Sequence, residues 1–295
     1  AGAMVLLGSS LLFLWAPPRS GTGSVVGSSW VRAVVLAAAV LLAVSSLVQI
    51  AAQSIQLSGS VSEGLKVETL SAVVSYMPQG KAAVVRAAAA LAAVLALVLL
   101  RPDRGRLIVA AGLGTVATAS LAWMGHGAAT EGSLGTVHLA SDLLHVLAAA
   151  IWLGALAGFL GLLIAGPKTP EARAGLHTAL ARFAGIGSAA VAVLILTGTV
   201  NSWILVGPDR LESLWTTSYG RLLGLKVLAF LAMLGLAAAN RYRLTPALGR
   251  SLGSRTGADA EHAALRRSIA AEAALGVTVL LLVAWFGTLA PPAAA

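Results

Sequence analysis

The chain has 295 residues, 58% of them hydrophobic and only 11% charged, with a mean hydropathy of +0.89. A soluble domain carries about 25% charged residues, so these figures exclude a soluble globular fold and describe an all-α polytopic membrane protein. The net charge of +9 does not indicate nucleic acid, because the basic residues fall in short segments between apolar runs and form no aromatic or amphipathic face. Cysteine is absent, which removes disulfides, thiolate metal sites and thiol redox chemistry.

Eight apolar segments are predicted in chain order: 1–15, 30–57, 82–100, 107–123, 136–165, 181–206, 220–243 and 269–290. The first is ~22 Å long at 1.5 Å per residue, short for a ~30 Å hydrocarbon core. No basic residue precedes it and Pro17-Pro18-Arg19 follows, which argues against a signal peptide. We read it as a first spanning helix that begins upstream of Ala1, with room there for a further domain. The breaks hold turn formers: Pro17-Pro18, Pro78-Gln-Gly80, Arg101-Pro102-Asp103, Gly166-Pro167 and Gly207-Pro208-Asp209. The Gly/Ser/Arg-rich stretch 248–259 is expected to be a mobile loop.

Loop charge gives an orientation. Arg19, Arg32, Arg101, Arg104, Arg106, Lys168, Arg173, Arg182, Arg241, Arg243, Arg250, Arg255, Arg266 and Arg267 follow the odd-numbered helices, 14 of the 20 basic residues. By the positive-inside rule those loops are cytoplasmic and both termini external. His177 and His262 then fall in solvated cytoplasmic loops.

The chain also echoes itself. The stretch from Leu121 to His126 resembles that from Val283 to Thr288, with Trp123 matching Trp285. Glu68, Tyr76, Gly80 and Arg86 match Glu212, Tyr219, Gly220 and Lys226, and the glycine-to-cation spacing is six in both. A duplicated four-helix unit is expected, residues 1–135 and 136–295, related by a pseudo-two-fold axis along the membrane normal.

The polar groups inside the apolar runs carry the functional signal, since intramembrane ionisable residues are costly and usually functional. In the fifth segment, Asp142 lies about 40° and His145 about −20° around the helix from His138, so all three share a face with Trp152. His and Asp also hold bundles together by interhelical hydrogen bonds. Three ionisable groups on one face, with His126 ending the preceding helix, favour a transition-metal site or a proton path. His138 and His145 are ~10.5 Å apart along the axis, while a metal–imidazole bond is ~2 Å. One ion is therefore better held by His126 with His138 and Asp142, or by His126 with Asp142 and His145. Met124 is a secondary ligand candidate whose thioether would favour Cu(I). Arg86 and Lys226 either snorkel to the interface or act on the site, one of them by pairing with Asp142. Asn201, Tyr219 and Trp152 are candidates for the surroundings or the pathway. Gln49, Gln53 and Gln56 share a face of the second helix, and Gly154, Gly158 and Gly161 allow close helix packing. No P-loop and no nucleophile elbow is present, so neither an enzyme nor an ATP-driven step is expected.

At these residues the sequence resembles the bacterial CopD family of copper-resistance and copper-uptake membrane proteins. The matching motifs are His138-x3-Asp142-x2-His145 followed by Trp152-Leu-Gly154; Thr197-Gly198-x2-Asn201 followed by Thr217-Ser-Tyr219-Gly220-Arg221 and Lys226; and Asn240-Arg241-Tyr-Arg243 followed by Arg266-Arg267-x4-Glu272. The resemblance implies copper as the metal, handled across the bacterial cytoplasmic membrane, often beside a separate or fused periplasmic CopC-type copper binder. Two rival readings remain at this point: a b-type haem electron carrier, since haem also uses His on packed helices, and a non-transporting scaffold that hands copper to an oxidase assembly partner.

Overall fold

The computed structural model describes residues 1–15, 29–124, 132–166, 169–252 and 255–294. The described residues are helical, without strands. The elements are α1 (Gly2–Trp15), α2 (Ser29–Ser58), α3 (Val61–Gly64), α4 (Val67–Tyr76), α5 (Pro78–Leu99), α6 (Arg104–Ala119), α7 (Gly132–Ala165), α8 (Pro170–Val206), α9 (Ser213–Thr216), α10 (Ser218–Ala239), α11 (Thr245–Ser251) and α12 (Arg255–Phe286). A 3₁₀ turn at Ala122–Met124 extends α6, and a π-helical segment at Asn240–Leu244 joins α10 to α11. Seven helices are long and apolar enough to cross a bilayer, and α1 is a shorter apolar helix. The chain is thus an all-α polytopic membrane protein. Its many exposed aliphatic side chains, such as Leu41, Leu196 and Leu281, are what a lipid-facing surface requires.

Three boundaries differ from the sequence expectation. α8 begins at Pro170, eleven residues before the predicted start, because Thr169 caps it by accepting from the Ala172 amide. α12 likewise begins at Arg255, well before residue 269. The stretch 248–259 is largely helical: α11 runs to Ser251, α12 starts at Arg255, and Leu248 is buried in the core. Charged helix ends escape a hydropathy window because their charges lower its mean. His177 and His262 accordingly lie on α8 and α12, both half-buried, and His177 packs against Gly249 of α11.

Packing follows from where small residues occur. α1 packs on α2 and α6, α2 on α5, and α5 on α6; α7 packs on α8 and α12, and α10 on α12. The two sets meet at α1 and α7. There Gly8 and Gly154 face each other, and Ser9 Oγ donates to the Gly154 carbonyl at 2.7 Å. A Cβ on Gly8 would overlap the Ala150 carbonyl, and a Cβ on Gly154 would overlap the Met4 carbonyl. Residues 4 and 8 of one helix therefore meet residues 150 and 154 of the other reciprocally. Elsewhere, Gly80 abuts the carbonyl of Val73 and Gly220 that of Ser213, each seven residues earlier. Both glycines let a short helix fold back on the start of a long one.

Candidate metal-binding site

α7 carries His138, Asp142 and His145 on a face turned toward α8, and each finds a different neighbour. His138 is fully buried, with Nε2 3.9 Å from Asp142 Oδ2. Asp142 Oδ1 accepts from Asn201 Nδ2 of α8 at 2.6 Å. An ionised carboxylate can only accept, so the amide nitrogen must face it and Asn201 Oδ1 points elsewhere. That oxygen is buried and has no hydrogen-bond partner. One helical turn on, His145 Nδ1 lies 2.9 Å from Thr197 Oγ1. Thr197 Oγ1 in turn donates to Val193 O at 2.6 Å, so its free lone pair accepts from the imidazole and fixes Nδ1 as the protonated nitrogen. Ser141 Oγ donates to Thr197 O at 3.2 Å and ties the same two helices.

His138 with Asp142 and His145 thus form two levels and no closed cage. Among the described residues, no three His, Asp or Glu converge as a ligand set. His126, the candidate third ligand, lies outside the described residues. The two levels follow from helix rise, as the sequence spacing requires.

His145 opens into a cleft of about 540 Å³ between α7, α8, α10 and α12, lined also by Trp152, Lys226 and Phe230. Lys226 Nζ sits 5.7 Å from the Phe286 ring centroid, and Asp142 interacts electrostatically with Lys226 and with Tyr219. Tyr219 itself is buried edge-on against Phe286, a packing role at the top of α10.

Arg86 departs from the interfacial expectation. It is 4% exposed and donates through Nε to Ser120 Oγ at 3.0 Å, through Nη1 to Gln49 Oε1 at 2.8 Å, and through Nη2 to Met124 Sδ at 2.7 Å. Three acceptors from α2 and the α6 end supply the compensation a buried cation needs, so it has no need to reach the interface. The same contact holds the Met124 thioether, which also accepts from Gln49 Nε2 at 3.4 Å.

Further along α7, Trp152 Nε1 donates to Glu272 Oε1 at 3.0 Å, and Asn240 Nδ2 donates to Glu272 Oε2 at 2.8 Å. Glu272 is 2% exposed. Neither Asn240 nor Glu272 stands out as a candidate by spacing, since they lie on α12 and at the start of the π segment. The available signals were a single acid in the apolar part of α12, the same argument that selects Asp142, and the place of both residues in the third matching motif.

The chain was compared with known proteins. The family described as "Copper resistance protein D-like, N-terminal domain" matches residues 1–136, and that described as "Copper resistance protein D" matches residues 177–286. Copper resistance protein D of Pseudomonas syringae pv. tomato is 37% identical over 221 residues, covering 74% of this chain and 71% of that protein. The chain belongs to the copper resistance protein D family. Inner membrane protein YebZ of Escherichia coli (strain K12) is 31% identical over 176 residues, 58% of this chain and 55% of YebZ. Copper transport protein CutJ of Bacillus subtilis (strain 168) is 30% identical over 171 residues, 58% of this chain but only 28% of CutJ. No solved structure matches. Within this copper resistance protein D family member, the stretch 137–176 with His138, Asp142 and His145 lies between the two matched regions.

Proposed function

We propose that this chain moves copper across the bacterial inner membrane, taking it up from the outside at the His138/Asp142 level of α7. The observation that carries the reading is the pair of a fully buried His138 and a half-buried Asp142, 3.9 Å apart, with Asn201 holding one carboxylate oxygen and leaving its own carbonyl unpartnered. Imidazole and carboxylate donors suit Cu(II), and family membership supports copper as the cargo. His126 completes the ligand set, and His145 receives the ion one turn deeper, beside the cleft. Loop charge supports external termini, which puts His138 at the outer face, where a periplasmic CopC-type copper binder delivers the ion. With no ATP-binding motif in the chain, the membrane potential, negative inside, drives cation uptake.

The duplicated arrangement belongs to the same proposal, with 1–135 and 136–295 as its halves. It is supported by the reciprocal Gly8/Gly154 contact, the matching Gly80 and Gly220 approaches, and the paired contacts of Arg86 with Met124 and Lys226 with Phe286.

Copper binding by the purified protein in lipid nanodiscs tests the site. The His138→Ala/His145→Ala double variant is expected to lose high-affinity copper. Wild-type affinity in that variant would refute the assignment.

A further inference from the structure

Asn240 and Glu272 repeat, further along α7 at Trp152, the arrangement of Asn201 and Asp142. In each pair an asparagine Nδ2 donates to a carboxylate oxygen, at 2.8 Å and 2.6 Å respectively. In each pair the asparagine Oδ1 is buried without a hydrogen-bond partner. Asn240 is 9% and Glu272 2% exposed. The two levels are set apart along α7: from Asp142 to Trp152 is ~15 Å of helix.

The Glu272 carboxylate has no ion-pair partner among the described residues. It receives only the neutral donors Trp152 Nε1–H and Asn240 Nδ2–H. Arg241, the cation lining the same 260 Å³ cavity, is turned to α8, where its Nη1 donates to Ala184 O at 3.1 Å and to Ser188 Oγ. Lys226 and His145 stand in the neighbouring cleft, on the far side of Trp152. A carboxylate buried in a membrane span without an ion-pair partner needs a proton or a cation. A lone amide oxygen on the same cavity wall favours a cation, because an oxygen can coordinate one directly.

The local backbone points the same way. Asn240 opens the π-helical segment Asn240–Leu244 of an otherwise α-helical span, and such π segments are frequent at functional sites. Trp152 and Leu234 line both the His145 cleft and the Glu272 cavity, so these two side chains lie between the two spaces, and of the two only the indole bonds Glu272.

We propose that Glu272 and Asn240 form a second cation station, which takes a divalent metal ion through carboxylate and amide oxygens and is separated from the His145 cleft by the Trp152 indole. Its all-oxygen donor set suits a hard divalent ion and disfavours soft Cu⁺, so a copper cargo would occupy it as Cu²⁺. Arrival of the ion replaces the indole donor on Oε1, so occupancy of the station and displacement of the partition are one event. The proposal rests on the copper reading for the identity of the cargo alone.

The test uses the full chain in nanodiscs, titrated with Cu²⁺ and followed by bound-metal stoichiometry and electron paramagnetic resonance. Wild type is expected to bind one Cu²⁺ with imidazole-nitrogen hyperfine structure and one without. Glu272→Gln and Asn240→Leu each lose the nitrogen-free signal and keep the other. His138→Ala/Asp142→Asn does the reverse; if instead that variant keeps both signals, the outer assignment fails and the inner station stands. Absence of a nitrogen-free Cu²⁺ signal in wild type, or its persistence in Asn240→Leu, overturns the proposal. Should Glu272→Gln not fold, Asn240→Leu and Trp152→Phe decide: Trp152→Phe is expected to perturb the nitrogen-free signal alone, and no change in that signal overturns the partition role.

Discussion

Gly8 of α1 and Gly154 of α7 touch backbone to backbone, with a Cβ built on Gly154 only 2.6 Å from Gly8 Cα. This crossing joins the two sets of four helices and fixes the height of α7, hence of every polar group on it. Neither position tolerates a side chain without separating the helices. Gly154→Val is therefore expected to destabilise the protein by at least the ~1–3 kcal/mol typical of overpacking, read as a lower thermal midpoint of the detergent-solubilised protein. Gly112, around which a Cβ meets nothing, is the matched control, and Gly112→Ala is expected to be neutral.

The outer carboxylate depends on Asn201. Asn201→Leu removes the 2.6 Å donor to Asp142 Oδ1 and leaves the carboxylate free to turn. Loss of such an orienting partner typically lowers metal affinity 10–100-fold. Copper affinity in Asn201→Leu is expected to fall by about that factor while the fold survives, and Asn201→Gln should recover part of it. An unchanged affinity would remove Asn201 from the site.

Lys226 is a cation beside a route assigned to cations. Its charge acts on Asp142, so it competes with bound metal. Lys226→Met is expected to tighten Cu²⁺ binding several-fold, since ~1 kcal/mol of Coulomb repulsion in a water-like dielectric is about fivefold. Weaker binding would instead mean that Lys226 holds Asp142 in its binding geometry.

The spans were legible because apolar length is a strong signal, and the face shared by His138, Asp142 and His145 follows from helical spacing alone. Legibility ended where separate helices converge. Glu272 meets Trp152 across 120 residues and Asn240 across 32, and no periodicity reports such a meeting. The Thr197 hydroxyl was hidden for another reason: threonine in a membrane helix ordinarily bonds its own backbone, as Thr197 also does to Val193 O, so its second bond to His145 has no sequence mark. Of the two readings open for Arg86, snorkelling is the one its burial removes, because that argument rests on side-chain length alone. The partners Gln49, Ser120 and Met124 come from two other helices.

Arg86 ties α2 to the end of α6 through these bonds. Arg86→Leu removes its bonds to three acceptors and is expected to cost about 1.5–3 kcal/mol, the range for hydrogen bonds to a charged group. Copper affinity is expected to change little if Met124, which Arg86 holds, is not a ligand, since the site helix α7 is not among the partners of Arg86. A large loss of copper with an intact thermal midpoint would contradict this.

Copper uptake into proteoliposomes with an inside-negative potential tests the central claim most directly. Wild-type vesicles are expected to accumulate copper well above protein-free vesicles, and Asp142→Asn vesicles to fall to the protein-free level at equal protein incorporation. Uptake by Asp142→Asn at the wild-type rate, or none by wild type, would contradict a route that begins at His138 and Asp142.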